Sequence, residues 1–182
     1  MNLEKIIVTS CLVSFLLIPQ ALLAANIPGA FTISPQIGGY MFEGNQDGGL
    51  DDALVYSIAA GYNCDKNFGA ELGYSYINTE SESGKSNSIN TGRLDLLYHF
   101  MPEKEFVPFA IVGVGVSHAN LMSDDDIVLG YGGGFKYFLS DTVALRAEVK
   151  HVLDFNYNDD DHNQSFYNNL SYTAGFTFQI KP

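Results

Sequence analysis

Cysteine, tryptophan and basic side chains are scarce in this chain of 182 residues. It has two cysteines and no tryptophan, and 9 Lys and Arg stand against 21 Asp and Glu. The net charge of −12 argues against nucleic-acid binding, because phosphate recognition needs a cationic face. Only 16 % of the residues are charged, below the roughly 25 % of soluble globular proteins, so a charged surface facing water is scarce. Because Cys11 lies in the leader predicted below, a disulfide scaffold within the mature chain is excluded.

Residues 1–25 are typical of a secretory signal peptide that is cleaved. Lys5 supplies the positive end, Ile6–Ile18 are mostly apolar, and small residues follow. Pro19 interrupts the apolar run at about 13 residues, short of the roughly 20 that span a bilayer, so a retained membrane helix is the weaker interpretation. We therefore predict an exported protein whose mature domain covers residues 26–182.

The mature chain alternates apolar and polar residues with the period of two that β-strands have. One face carries Leu, Val, Ile, Tyr and Phe, while the other carries mostly Gly, Ser and Thr. Five segments alternate regularly, and three others are predicted as strands from their β-branched and aromatic content. The eight segments are 31–42, 53–63, 68–76, 91–100, 106–118, 127–137, 143–150 and 170–180.

Long and short connections between these segments also alternate. The long ones are 43–52, 78–88, 119–126 and 156–168, and the short ones are 64–67, 102–105 and 140–141. Long loops at one end and tight turns at the other are typical of outer-membrane barrels, with the short turns periplasmic. We predict an all-β fold, an eight-stranded antiparallel up-and-down transmembrane β-barrel that lies in the bacterial outer membrane.

The polar face is the one that fits the inside of such a barrel. A soluble barrel of the lipocalin kind would instead turn its apolar face inward. An eight-stranded barrel is only just wide enough for side chains to fill, so rows of glycine suit its lumen. The same face carries charged residues that must pair if they are buried. We predict that they form a lumen charge network of Glu71, Arg93, Asp95, Lys136, Arg146, Glu148 and Lys150.

Aromatic residues cluster toward both ends of the predicted strands, as the two membrane interfaces require. Those near the short turns are Tyr62, Phe68, Phe100, Phe106, Tyr137 and Phe178. Those near the long loops are Phe42, Tyr76, Phe155 and Tyr172.

Three stretches and the end of the chain resemble the OmpA-like family of eight-stranded outer-membrane barrels. The stretches are Phe31–Asn45, Phe106–Ser117 and Leu139–Lys150, and the likeness covers residues 31–180. The resemblance implies an assembly signal that the outer-membrane assembly machinery reads, formed by Thr173, Gly175, Phe178 and Ile180. Full-length OmpA proteins add a peptidoglycan-binding domain that has no counterpart in this sequence, so anchoring to the cell wall is not expected.

Acidic residues concentrate in the long loops and could chelate a divalent cation. However, 159–164 lacks the glycine and the distal glutamate of a calcium-binding loop. We therefore expect no dedicated metal and no cofactor, and we expect the loop carboxylates to bridge to lipopolysaccharide phosphates through shared cations. Catalysis is not expected either, since Ser117 and His118 are adjacent on a strand and must point to opposite faces.

Two functions of different classes remain. The first is a structural protein whose barrel is plugged by its own side chains, which supports envelope integrity and holds acidic loops outside the cell for surface contact. The second is a small channel for ions or a slender solute, which a glycine-lined lumen with unpaired charges would favour. A lipid A-modifying enzyme is the third and weakest alternative. The expected partners are outer-membrane lipids, lipopolysaccharide and the assembly machinery, and the expected state is a monomer.

Overall fold

The computed structural model describes residues 25–43, 52–80, 86–119, 125–158 and 163–181. Within these ranges the chain forms eight antiparallel strands that close into a barrel, which confirms the predicted fold class. The strands are β1 (Phe31–Glu43), β2 (Ala53–Asn63), β3 (Phe68–Glu80), β4 (Ser86–His99), β5 (Phe106–Ala119), β6 (Asp125–Phe138), β7 (Val143–Asn158) and β8 (Asn163–Ile180). In this part of the chain no helix is long and apolar enough to cross a membrane.

The register of the strands determines the shape of the barrel. Each strand pairs with its neighbours in the sequence, and β8 pairs with β1. Following paired Cα positions once around the barrel leads from Phe31 back to Met41, a displacement of 10 residues along β1. With the usual strand rise and spacing, that displacement tilts the strands by about 40° from the barrel axis.

The strands extend beyond the segments that alternate. They are 11 to 18 residues long, where about ten were expected. β3 and β4 continue their pairing to Glu80 and Ser86, and β7 and β8 continue to Asn158 and Asn163, so 78–88 and 156–168 were wrongly predicted to be entirely loops. These ends are rich in Asn and Ser, so apolar alternation does not mark them in the sequence.

The barrel is apolar outside and polar inside. On β3, Leu72 is 66 % exposed and its neighbour Glu71 only 4 %. Near the short turns, which we call the turn end, outward aromatic rings contact one another in neighbouring pairs. Phe42 was expected among the outward aromatics at the opposite, loop end, and this was wrong. It follows the outward Met41, so it faces the lumen and packs beside Tyr40.

The junction of β1 and β8 has a gap in its ladder. Pairing covers Phe31–Ile33 and resumes at Gln36, so Ser34 and Pro35 are left out. Proline has no N–H to donate, which accounts for the interruption. The Ser34 hydroxyl bonds the Thr177 hydroxyl at 2.9 Å, so side chains bridge the gap inside the barrel.

Candidate functional site

The centre of the lumen holds a connected group of four charged side chains. The Arg146 guanidinium donates to both oxygens of Glu71, at 2.8 and 2.9 Å, and to Glu148 Oε2 at 2.7 and 2.9 Å. Lys150 Nζ lies 2.6 Å from the other oxygen of Glu148. Arg146, Glu71 and Glu148 are all buried, and they come from β3 and β7, which lie on opposite walls. Charge-assisted, bidentate bonds of this kind are the strong ones, and here they close the lumen with side chains.

A second ion pair lies nearer the loop end. Arg93 donates to Asp95 Oδ1 through Nη2 at 2.5 Å, and both side chains are buried. Glycines on nearby strands leave space for these two side chains. A Cβ added at Gly130 would come within 2.7 Å of the Arg93 guanidinium atoms, and one at Gly113 would overlap the Asp95 carboxylate. The small residues on β5 and β6 are therefore fitted to the charged side chains that they face.

Lys136 is separated from the acidic side chains and has a histidine as its partner. Its ammonium donates to His99 Nε2 at 3.0 Å, and His99 Nδ1 donates to the Asn67 carbonyl oxygen at 3.1 Å. The Phe109 ring lies 5.9 Å from Lys136 Nζ and 5.0 Å from the Arg146 guanidinium carbon. Two cations therefore contact one aromatic ring, which partly replaces the water that each loses on burial.

The segment before β1 closes the turn end of the lumen. Asn26 donates from its backbone to the Pro102 carbonyl at 3.0 Å and from its side chain to the Lys66 carbonyl at 2.9 Å. Gln179 accepts from the Ile27 backbone at 3.1 Å and from the Asn63 amide at 3.0 Å. We call residues 25–30 the turn-end cap, because they tie strands from both sides of the barrel across its mouth.

An apolar cluster fills the lumen toward the loop end. Phe42, Ala53 and Ile89 pack against it, and Tyr40 is its only polar-tipped member among the described residues. Its buried members are Tyr40, Val55, Ile77, Val128 and Val152. An apolar layer across the lumen resists ions, because they cannot keep their hydration there.

Two small cavities lie between these layers in the part of the barrel that the structure describes. One cavity lies beside the Arg146 group and another between Arg93 and the apolar cluster, each of about 20 Å³. A cavity needs about 10–15 Å³ of such volume to hold one water molecule, so each holds about one. The residues that line both cavities are Ser57, Ser75, Arg93 and Lys150.

The structure places all seven residues of the predicted charge network in the lumen but divides them into three groups. Arg146, Glu71, Glu148 and Lys150 form the first, Arg93 and Asp95 the second, and Lys136 stands with His99. The sequence contained a signal for one of the missing partners. His99 falls on an inward position of a strand that alternates, whereas Phe109 lies on β5, which alternates less regularly, and nothing in the pattern marks Asn26 before β1.

The residues of the predicted assembly signal are divided between the two faces of β8. Thr173 is buried and bonds Gln36 at 3.0 Å, and a Cβ at Gly175 would overlap the Pro35 carbonyl oxygen. Phe178 and Ile180 point outward and are exposed. Their reading by the assembly machinery stays a prediction.

The positions considered for catalysis and metal binding are not brought together. Ser117 is buried and bonds Thr91 at 3.1 Å, while the adjacent His118 is exposed outward. Among the described residues no cluster of three or more His, Cys, Asp or Glu could hold a metal ion. The leader and the acidic runs at 44–51, 81–85, 120–124 and 159–162 lie outside the described residues.

Two short turns are joined by an exposed ion pair. Lys66 bonds Glu103, and this hydrogen bond, with the attraction between the two charges, holds the pKa of the Glu103 carboxyl below its usual range. Cys64 is a free, exposed thiol in the first of these turns.

Comparisons with known proteins agree with this geometry. The fold resembles that of OprG from Pseudomonas aeruginosa, with a TM-score of 0.64 and 14 % identity, covering 88 % of this chain and 100 % of that one. It also resembles Neisserial surface protein A, with a TM-score of 0.68 and 14 % identity over 84 % of this chain and 99 % of that one. For the N-terminal barrel domain of Pseudomonas aeruginosa OprF, the values are 0.54 and 15 %, over 84 % and 98 %.

Likeness at such low identity shows the fold alone, and a search of curated protein sequences finds no match. The family model of the outer membrane protein beta-barrel domain, however, matches residues 10–178. The chain therefore belongs to the outer membrane protein beta-barrel family and is an integral protein of the bacterial outer membrane.

Proposed function

We propose that this protein is a plugged membrane anchor that supports envelope integrity and presents acidic loops for surface contact. The observation that carries the proposal is the filled lumen. From the turn end to the loop end, an ion meets the turn-end cap, the Lys136 and Arg146 groups, the Arg93–Asp95 pair and the apolar cluster.

The barriers differ in kind and act in series. Paired charges such as Arg146 and Glu71 leave few free ligands for a passing ion, and moving them apart would expose buried charge without a partner. The apolar cluster removes hydration without offering any replacement. The two cavities described in this part of the lumen have about 20 Å³ each, room for about one water molecule apiece.

The outer face supports the proposed lipid partners. Exposed aliphatic side chains such as Leu72, Leu94 and Leu96 suit acyl chains, and the aromatic pairs at the turn end suit a membrane interface. The acidic loops repel lipopolysaccharide phosphates unless divalent cations lie between them, so we propose contact through shared cations. A closed barrel leaves no strand edge for another copy, which favours a monomer.

Planar-bilayer conductance of the refolded mature protein tests the proposal, after heat-dependent gel migration has shown that it is folded. We expect no conductance steps from the wild type. Alkaline extraction of vesicles that hold the same protein shows that a silent wild type had inserted, because an inserted barrel stays with the lipid. A variant that lacks residues 25–29 and carries Arg146→Ala keeps the Arg93–Asp95 pair and the apolar cluster, so we expect it to stay silent, as does the control Leu94→Ala on the outer face.

The second candidate function is a small channel. It is favoured by the hydroxyl side chains that line the lumen between the ionic groups and the apolar cluster, including Ser57, Ser75 and Ser171. Reproducible wild-type steps that disappear when Arg93 or Lys136 is substituted would replace the anchor proposal with this one.

We further propose that the barrel has no lipid A-modifying activity, because Ser117 faces the lumen and His118 faces outward. Incubating the refolded protein with lipid A and measuring released fatty acid tests this directly. Release that Ser117→Ala abolishes would overturn the proposal.

A further inference from the structure

Three polar side chains face the lumen just beyond the apolar cluster, at its loop end. Asp126 on β6 precedes Val128 by two residues, and Asp154 on β7 follows Val152 by two, so both carboxylates share the inward face. Asn169 on β8 is paired with Val152. The three residues therefore come from three consecutive strands and meet at the same level of the barrel wall.

The amide of Asn169 is only half satisfied. The side chain is 0 % exposed, and its Nδ2 donates to Asp154 Oδ2. Its Oδ1 is buried and accepts no hydrogen bond from the described residues. A buried acceptor without a donor is costly, and in a native protein it calls for a water or an ion. The bond to Asp154 keeps this oxygen within one amide width of the carboxylate.

Two acidic side chains lie near the amide. The Asp126 and Asp154 carboxylates act on each other repulsively, and the basic group that acts on Asp154 is Arg93, which is itself bonded to Asp95. Tyr40 lies beside both Asp154 and Asn169 and adds a neutral phenol. The cation that acts on Asp154 is thus already engaged by another carboxylate.

We propose that Asp126, Asp154 and Asn169 Oδ1 form a binding site for a hard divalent cation at the loop end of the lumen. Carboxylate and amide oxygens are the ligands that Ca²⁺ and Mg²⁺ take in proteins. Ca²⁺ fits better, because it accepts irregular geometry and completes its six to eight ligands with water. The cation offsets the carboxylate repulsion and supplies the partner that Oδ1 lacks.

Tyrosine-sensitised Tb³⁺ luminescence of the refolded protein tests the site, because the chain has no tryptophan and Tyr40 lies beside the ligands. We expect one saturable Tb³⁺ signal that Ca²⁺ displaces at lower concentration than Mg²⁺ does. In Asp154→Asn the apparent affinity falls at least about tenfold, since a charged ligand is lost. The matched control replaces 159–161, the neighbouring acidic run, with asparagine and keeps the signal.

Two outcomes would overturn the proposal: a wild type without saturable binding, or a signal that the 159–161 variant loses and Asp154→Asn keeps. Asn169 supplies a test that does not depend on removing a charge. Asn169→Asp tightens binding and Asn169→Ala weakens it, both in protein shown to be folded by heat-dependent migration. Equal affinities in these two variants would exclude Asn169 Oδ1 as a ligand.

Discussion

Arg146 and Glu71 are 75 positions apart in the sequence and form a bidentate ion pair at 2.8 and 2.9 Å across the lumen. One residue lies on β7 and the other on β3, so the pair links the two halves of the barrel where no backbone ladder can. Both are buried, so the lumen does not dilute the attraction with water as a surface would.

Removing one member of this pair is expected to destabilise the barrel strongly. Arg146→Ala leaves Glu71 buried without its ion-pair partner and Glu148 with Lys150 alone, and such losses cost about 3–5 kcal/mol. Urea unfolding in lipid vesicles, followed by tyrosine fluorescence, measures the free energy of unfolding.

The exposed Lys66–Glu103 pair is the matched control for Arg146→Ala. Lys66→Ala is expected to leave the free energy of unfolding unchanged, because water screens an exposed pair. A similar decrease in the free energy of unfolding for Lys66→Ala and Arg146→Ala would contradict the view that ion pairs stabilise the barrel more when they are buried in the lumen.

Substitution by alanine is expected to lower the free energy of unfolding at Gly113 but not at Gly92. A Cβ at Gly113 overlaps the Asp95 carboxylate and the Leu94 carbonyl oxygen, whereas a Cβ at Gly92 meets no atom within 4 Å. Gly113→Ala should cost about 1–3 kcal/mol, the usual range for overpacking, and Gly92→Ala should cost nothing. Unfolding of both variants under identical conditions makes the comparison, and equal losses would mean that the lumen has more room than the structure shows.

Cys64 provides a test of orientation. The turn that carries it is predicted to be periplasmic, and its thiol is exposed. A maleimide that cannot cross the outer membrane should label Cys64 only after that membrane is permeabilised. A Cys64→Ser variant with Asp52→Cys, which moves the thiol to the loop end, should react in intact cells. Labelling of the wild type in intact cells would invert the proposed topology.

Ile180 is expected to limit the rate of assembly. It points outward at the end of β8, where OmpA-like chains commonly place an aromatic residue, and it pairs with Phe31. Ile180→Phe should accelerate folding in vesicles that contain the assembly machinery. Leu94→Phe adds the same ring in the middle of the barrel, so acceleration by both variants would point to hydrophobicity and not to the signal.

Alternation in five segments, the β-branched and aromatic content of three others and the order of long and short connections were together sufficient to predict the fold. Leu94, Asp95 and Leu96 show why. Successive residues of a strand point alternately to the membrane and to the lumen, so an apolar residue marks the membrane face and a polar residue marks the lumen face. The expectation for Phe42 was wrong because it relied on the aromatic character of the residue and not on its position next to the outward Met41. Alternation also gave no signal for the ends of β7 and β8, because strands that extend into water need no apolar face.

The pairing inside the lumen could be predicted only in part. Period-two alternation identifies which side chains enter the lumen, but partners depend on register and tilt, which connect Arg146 to Glu71 and leave Lys136 with His99. Asn26 lies outside any strand, and its contacts depend on where two separate turns lie in space. Such contacts follow from three-dimensional closure and have no local signature.

The interruption at Pro35 makes the junction of β1 and β8 the place where the strands separate most easily. Within the described strands, the other seven junctions have unbroken ladders. At this junction the backbone pairing of two residues is missing, and the hydrogen bond between the Ser34 and Thr177 hydroxyls takes its place. Lateral tension in the membrane is therefore borne least evenly at the meeting of β1 and β8. Under mechanical load the cylinder would split first along that line, and backbone amide exchange would begin beside Pro35.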